Sequence, residues 1–220
     1  MINTSNMSSE SVSLLQKRGL SGQQVSDFSA LLDKSLAQQQ QTELSAKQVL
    51  ADMSQDELRL LQKATSLAEP INVSTLSQEG AINLLAQPDR TGMVDLNSDG
   101  IVEIGAARSI SFPPVNAPEN VHKAWEKPTE GLSEGDKLHM ELSMHISAYG
   151  IEIDGQPSKQ ALSLEQQWSK AGVEQWLATG RAGIEYDVDL NGWTRWNILK
   201  KDFFDKFEKA IGNEVIENRD

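Results

Sequence analysis

Three prolines within six residues, Pro113, Pro114 and Pro118, set the tightest limit on how this chain folds. Each removes a backbone donor and fixes φ, so neither a helix nor a central strand runs through residues 112–118. The helical patterns on either side must therefore close separately. Three regions are expected: a disordered start plus one amphipathic helix (1–42), a helical segment (43–112) and a second helical segment (113–220). The fold class expected is mainly α, helical domains with short β segments flanking two turns of the Asp-x-Asp-x-Asp-Gly type.

The start of the chain is rich in Ser, Asn and Gln, and residues 1–20 are expected to stay disordered because burial cannot offset the entropy of ordering them. From Ser21, a good N-cap, the residues Val25, Phe28, Leu31, Leu32 and Leu36 recur at helical spacing and make one apolar stripe, followed by a polar glutamine run at 38–41. Such a stripe needs a covering surface, in this protein or in a partner protein. A short helix is expected over 45–52. Ser54 and Glu57 form a capping box ahead of Leu58, Leu60, Leu61 and Leu67, and a further helix is expected over 75–85.

After the prolines, 119–126 reads as a helix anchored by Trp125, and 133–149 as a longer one presenting Leu138, Leu142, His145 and Tyr149 on one face. Residues 151–155 read as a strand ending in a turn. A helix over 163–177 is expected to stop at Gly180 and Gly183, with 183–186 extended. The last helix, 193–211, carries Trp196, Leu199, Phe203, Phe204, Phe207 and Ile211. Trp168, Trp176, Trp193 and Trp196 are read as packing aromatics in preference to a sugar-binding platform.

One stretch carries specific chemistry. Asp95, Asn97 and Asp99 alternate along the chain and are followed at once by Gly100, with Val102 and Glu103 close behind. Alternating oxygen side chains let a chain curl around a hard cation, and the glycine permits the sharp turn. This stretch resembles the first nine positions of an EF-hand calcium loop. The resemblance implies calcium ligands at Asp95, Asn97 and Asp99, the backbone carbonyl of Ile101, and Glu103 in support. It covers those positions only: Ala106 stands where the EF-hand has a bidentate Glu, and Pro88 and Gly92 interrupt the entering helix.

A weaker copy occurs at Asp187, Asp189 and Asn191, with Gly192 next and Trp193 in the carbonyl position. Arg195 beside it and Ile198 in the terminal position weaken the match, and a metal-free Asx turn is the alternative at either place.

The chain holds 20 Lys+Arg against 32 Asp+Glu, a net charge of −12, which repels nucleic acid. There are no cysteines, so disulfides and thiolate chemistry are excluded. His139 and His145 lie on different faces of their helix and do not make an i, i+4 metal pair. No nucleophile elbow, P-loop or dinucleotide fingerprint is present. No stretch is apolar enough to span a membrane, and the expected location is cytoplasmic, or exported without a cleaved signal. The function expected is a non-catalytic, EF-hand-like calcium-binding protein with a structural or interaction role. The alternative is a metal-independent adaptor or exported substrate that binds another protein through the 25–36 helix.

Overall fold

The computed structural model describes residues 7–153, 156–157 and 162–217, with backbone alone for 152–153, 156–157 and 213–217. The fold is mainly helical, with ten α-helices, a single 3₁₀ turn and four short strands among those residues. It divides into two compact units, 1–96 with 101–109, and 97–100 with 110–220. Among the described residues no helix is long and apolar enough to cross a membrane.

In the first unit, α1 (Ser9–Lys17), α2 (Gly22–Thr42), α3 (Ala46–Ala51), α4 (Gln55–Thr65) and α5 (Gln78–Leu84) precede strand β1 (Ile101–Ile104), which pairs with β2 (Ala107–Ile110). Every one of these helices opens on a serine. Ser8, Ser21, Ser45, Ser54 and Ser77 each accept, on the side-chain oxygen, the N–H three residues on. That oxygen satisfies a donor which the first turn otherwise leaves bare. In α2, α3 and α4, Gln24, Gln48 and Glu57 return the bond and close a capping box.

Among the described residues, the helices before residue 43 share a core with those that follow. Leu15, Val25 and Phe28 are fully buried in one core with Leu50, Leu61, Ala64, Ala81 and Leu84. The stretch expected to be disordered is helical from Ser9, and residues 1–6 lie outside the described residues. Composition misleads here because the helix is tied down at its start. Ser8 N–H donates to Gln87 Oε1 at 2.8 Å, its hydroxyl donates to Asp89, and Asp89 N–H donates to Ser11 Oγ at 3.1 Å. The α2 stripe is used intramolecularly as far as Leu32, which packs against the core partly buried. Leu36 is 55% exposed, while Ser35 is buried with its hydroxyl on the Leu31 carbonyl. The helix expected over 75–85 begins later, at the Ser77 cap, after a 3₁₀ turn at Val73–Thr75.

The second unit contains α6 (Glu119–Thr129), α7 (Glu134–Tyr149), the antiparallel pair β3 (Glu152–Ile153) and β4 (Gln156–Pro157), α8 (Leu164–Gln167), α9 (Lys170–Asn191) and α10 (Arg195–Glu217). The turn expected at residues 154–155 lies outside the described residues. Aromatic rings dominate the core: Phe112 lies 5.2 Å from Trp125 and 5.8 Å from Trp176, and Trp125 lies 5.0 Å from Phe203. As expected, α6 starts directly after Pro118 and buries Trp125.

Expectations for α7, α8 and α9 fail in this unit, each for a packing reason. On α7 the buried face is Met140, Met144, His145 and Ser147, while Leu138 and Leu142 are 64% and 44% exposed. The helix expected over 163–177 is broken at Ser169, which caps α9, because Gly172 lets α9 come close to the end of α8; a Cβ there would lie 2.1 Å from the Gln166 carbonyl oxygen. Nor does α9 stop at Gly180 or Gly183. Gly180 is where the Phe204 ring approaches, within 2.2 Å of any added Cβ, so that glycine serves packing inside a continuous helix.

Candidate metal site

The backbone around residues 95–103 is positioned on its first-unit side by two polar residues of α5, Glu79 and Asn83. They are four apart and therefore share one face of that helix. Glu79 is 5% exposed, and its carboxylate accepts the N–H of Leu96 and the N–H of Glu103, both at 2.8 Å. Asn83 is fully buried. Its amide oxygen accepts from Val94 N–H at 2.8 Å, and its amide nitrogen donates to the carbonyls of Val94 and Glu103, also at 2.8 Å. Charged and amide partners of this kind replace the water that buried backbone groups lose.

Glu103, expected as a supporting ligand, has its carboxylate engaged elsewhere. It accepts from the Ser77 hydroxyl and lies 3.7 Å from Arg108 Nε. Behind it the β1–β2 turn sits directly on α5. Gly105 N–H donates to the Gly80 carbonyl at 2.9 Å, and a Cβ on Gly80 would meet the Gly105 oxygen at 2.2 Å. Asp95, at the head of the motif, is 6% exposed.

In the second unit, Asn97 Oδ1 accepts from Asp99 N–H at 3.1 Å and Asn97 Nδ2 donates to Asp99 Oδ2 at 3.0 Å. The curl is completed by two left-handed residues, Ser98 at φ 58° and Gly100 at φ 74°. Gly100 is needed twice over, since a Cβ there would also lie 2.4 Å from the Tyr149 ring. That ring stacks on His145, 4.9 Å between centroids. Burial pushes the His145 pKa down, and the Asp99 charge opposes the shift.

The second motif is not a loop. Asp187, Asp189 and Asn191 occupy the last turns of α9, and Gly192 is its C-cap, with its N–H on the Val188 carbonyl at 2.7 Å. Residues two apart on a helix point roughly 200° from one another, so Asp187 and Asp189 diverge instead of converging on one ion. Asp187 instead accepts from Asn191 Nδ2 at 2.7 Å, and Trp193 is 59% exposed beyond the helix end. The extended approach expected over 183–186 is helical too, because Ile184 is a core residue at helical spacing from Leu177. The start of α10 is held by Asn197, which donates to the Gly192 carbonyl at 2.9 Å.

Among the described residues, no three His, Cys, Asp or Glu side chains gather closely enough to form a metal-binding group. Asp95, Asn97, Asp99 and the Ile101 carbonyl suit a hard cation by donor type, but they bring only two carboxylates. Glu79 and Asn83 are not legible in the sequence because a buried Glu or Asn looks like any polar residue on a helix; the one available signal is their i, i+4 spacing just ahead of the motif. Compared with known protein families, with curated proteins and with solved structures, the chain matches none.

Proposed function

We propose that this chain is a non-catalytic calcium-binding protein with a structural or interaction role, whose ion is held by Asp95, Asn97, Asp99 and the Ile101 carbonyl. The supporting observation is the left-handed curl at Ser98 and Gly100, which keeps Asn97 and Asp99 side by side; the hydrogen bond from Asn97 Nδ2 to Asp99 Oδ2 at 3.0 Å has to open for both oxygens to reach an ion. Bound calcium supplies positive charge that offsets the two carboxylates, so binding adds to the free energy of folding. Glu103 is left out of the ligand set because Ser77 and Arg108 hold it, and the α9 residues are left out because a helix separates them.

Calcium takes about six to eight oxygens, so water must complete the shell, and affinity falls toward the ~10⁻⁴–10⁻³ M range of extracellular modules. A site that weak fills only where calcium is abundant, which favours an exported protein over a cytoplasmic one. Calorimetric titration of chelator-stripped protein, with magnesium as control, tests the reading. One calcium equivalent is expected, together with a rise in melting temperature, and both should vanish in Asp95→Ala/Asp99→Ala. Absence of heat and of any melting shift at millimolar calcium refutes it, as does binding that survives the double substitution.

A second reading, a metal-independent interaction protein, is favoured by α7, where Leu138, Leu142 and Ile146 form an exposed apolar strip. The stripe on α2 does not support it, because Val25, Phe28 and Leu31 lie in the core. Leu138→Glu/Leu142→Glu is expected to abolish association with a partner while leaving the calcium response intact; association unchanged by the pair of glutamates would remove this reading.

A further inference from the structure

The start of α10 is held to α7 by two contacts that answer differently to acid. Arg195 Nη2 donates to both carboxylate oxygens of Asp136, at 3.0 and 2.8 Å. Beside it the His139 ring lies on Trp196, 4.1 Å between centroids and 30° apart in plane. Little else buries that turn, since of residues 193–198 only Asn197 is buried. Arg195 holds the Asp136 carboxyl below its ordinary range, so the ion pair survives mild acid.

The imidazole does not share that protection. His139 Nε2 is buried with no partner among the described residues. A neutral ring tolerates this, because one of its nitrogens carries no hydrogen, whereas protonation makes both nitrogens donors and leaves a charged N–H buried and unmatched. Burial pushes the His139 pKa down, the Lys200 charge on α10 adds to that, and Asp136 on α7 itself opposes it. Asp136 is already engaged by Arg195, and the Arg195 guanidinium also lies over the Trp196 ring, 4.8 Å from its centroid. A protonated His139 would be a second cation on the same indole. We propose that His139 is an acid-operated latch: protonation of its ring breaks the Trp196 stack and frees the first turn of α10 from α7, while the Arg195–Asp136 pair stays as a tether. A histidine held neutral by the fold takes its proton more readily once released, so release sets in as pH falls below the ordinary histidine value of about 6.5.

Hydrogen exchange of the full-length chain, read by mass spectrometry and corrected for the intrinsic effect of pH, compares about pH 7.5 with about pH 5.5. Protection over 193–200 is expected to fall about tenfold at the lower pH, while 203–211, which carries the buried Phe203, Phe204 and Phe207, keeps its protection. His139→Phe leaves a ring on Trp196 with no nitrogen to titrate, and its protection should be the same at both pH values. Unchanged protection of 193–200 in the wild type overturns the latch, as does an equal loss in His139→Phe or a loss that extends through 203–211. The His139 ring resonance in the wild type gives an independent check by NMR: its titration midpoint should lie below the ordinary value, and a midpoint at or above it overturns the latch whatever the variant does.

Discussion

The buried carboxylate of Glu79 accepts the backbone N–H of Glu103 at 2.8 Å, so one acidic side chain orders the main chain of another. The same carboxylate holds Leu96. Glu79→Gln keeps the shape but offers an amide NH₂ to one of two backbone donors. A loss of about 1–3 kcal/mol is expected. At about 2–4 °C per kcal/mol for a chain of this size, thermal unfolding followed by circular dichroism reads it directly. A melting temperature unchanged within error would mean that Glu79 does not hold this backbone.

How far the sequence reveals this arrangement depends on the residue. The serine caps at Ser54 and Ser21 are legible, because a hydroxyl with Glu or Gln three residues later is a local signal with a local cause. The buried face of α7 is not. Met140 and Met144 compete with Leu138 and Leu142, both sets recur at helical spacing, and only tertiary packing decides between them. The first motif is legible as a turn of oxygen side chains. The second has the same letters but sits in a helix, because Ile184 and Val188 pack against the core and carry α9 through to Asn191.

Packing on α7 gives the next test. Met144→Ala opens a cavity under a fully buried side chain and should cost about 2–5 kcal/mol. Leu138→Gln and Leu142→Gln should each change stability by no more than about 0.5 kcal/mol. Urea unfolding of the three variants distinguishes the faces, and the reverse order would place the leucines inside.

Two glycines of α5 and α10 predict opposite responses to one methyl group. Gly80→Ala drives its Cβ to 2.2 Å from the Gly105 oxygen and should cost about 1–3 kcal/mol as backbone shifts to make room. Gly212→Ala meets open space and should gain about 0.5–1 kcal/mol from helix propensity. Paired melting curves check both signs.

Acid should weaken the first unit through Glu57. The Lys34 ammonium at 2.8 Å, then the backbone and side chain of Ser54, hold its carboxyl down to about 2. A depressed carboxylate contributes its full stability above the ordinary carboxylate range and loses it as pH falls toward 2. Glu57→Gln keeps the capping geometry but removes the ion pair. The stability difference between wild type and this variant should therefore shrink steadily from pH 5 to pH 2, and a difference independent of pH would show that the pair contributes nothing.

The tie between α1 and residues 87–89 bears on the order in which the chain is made. Ser8 finds its partner 79 residues downstream at Gln87, and Ser11 finds its own 78 residues downstream at Asp89. During synthesis α1 leaves the ribosome long before either partner exists. Until Asp89 has emerged, α1 lacks both anchors and has only its packing on α2, so its start is fixed only after residues 87–89 have been made.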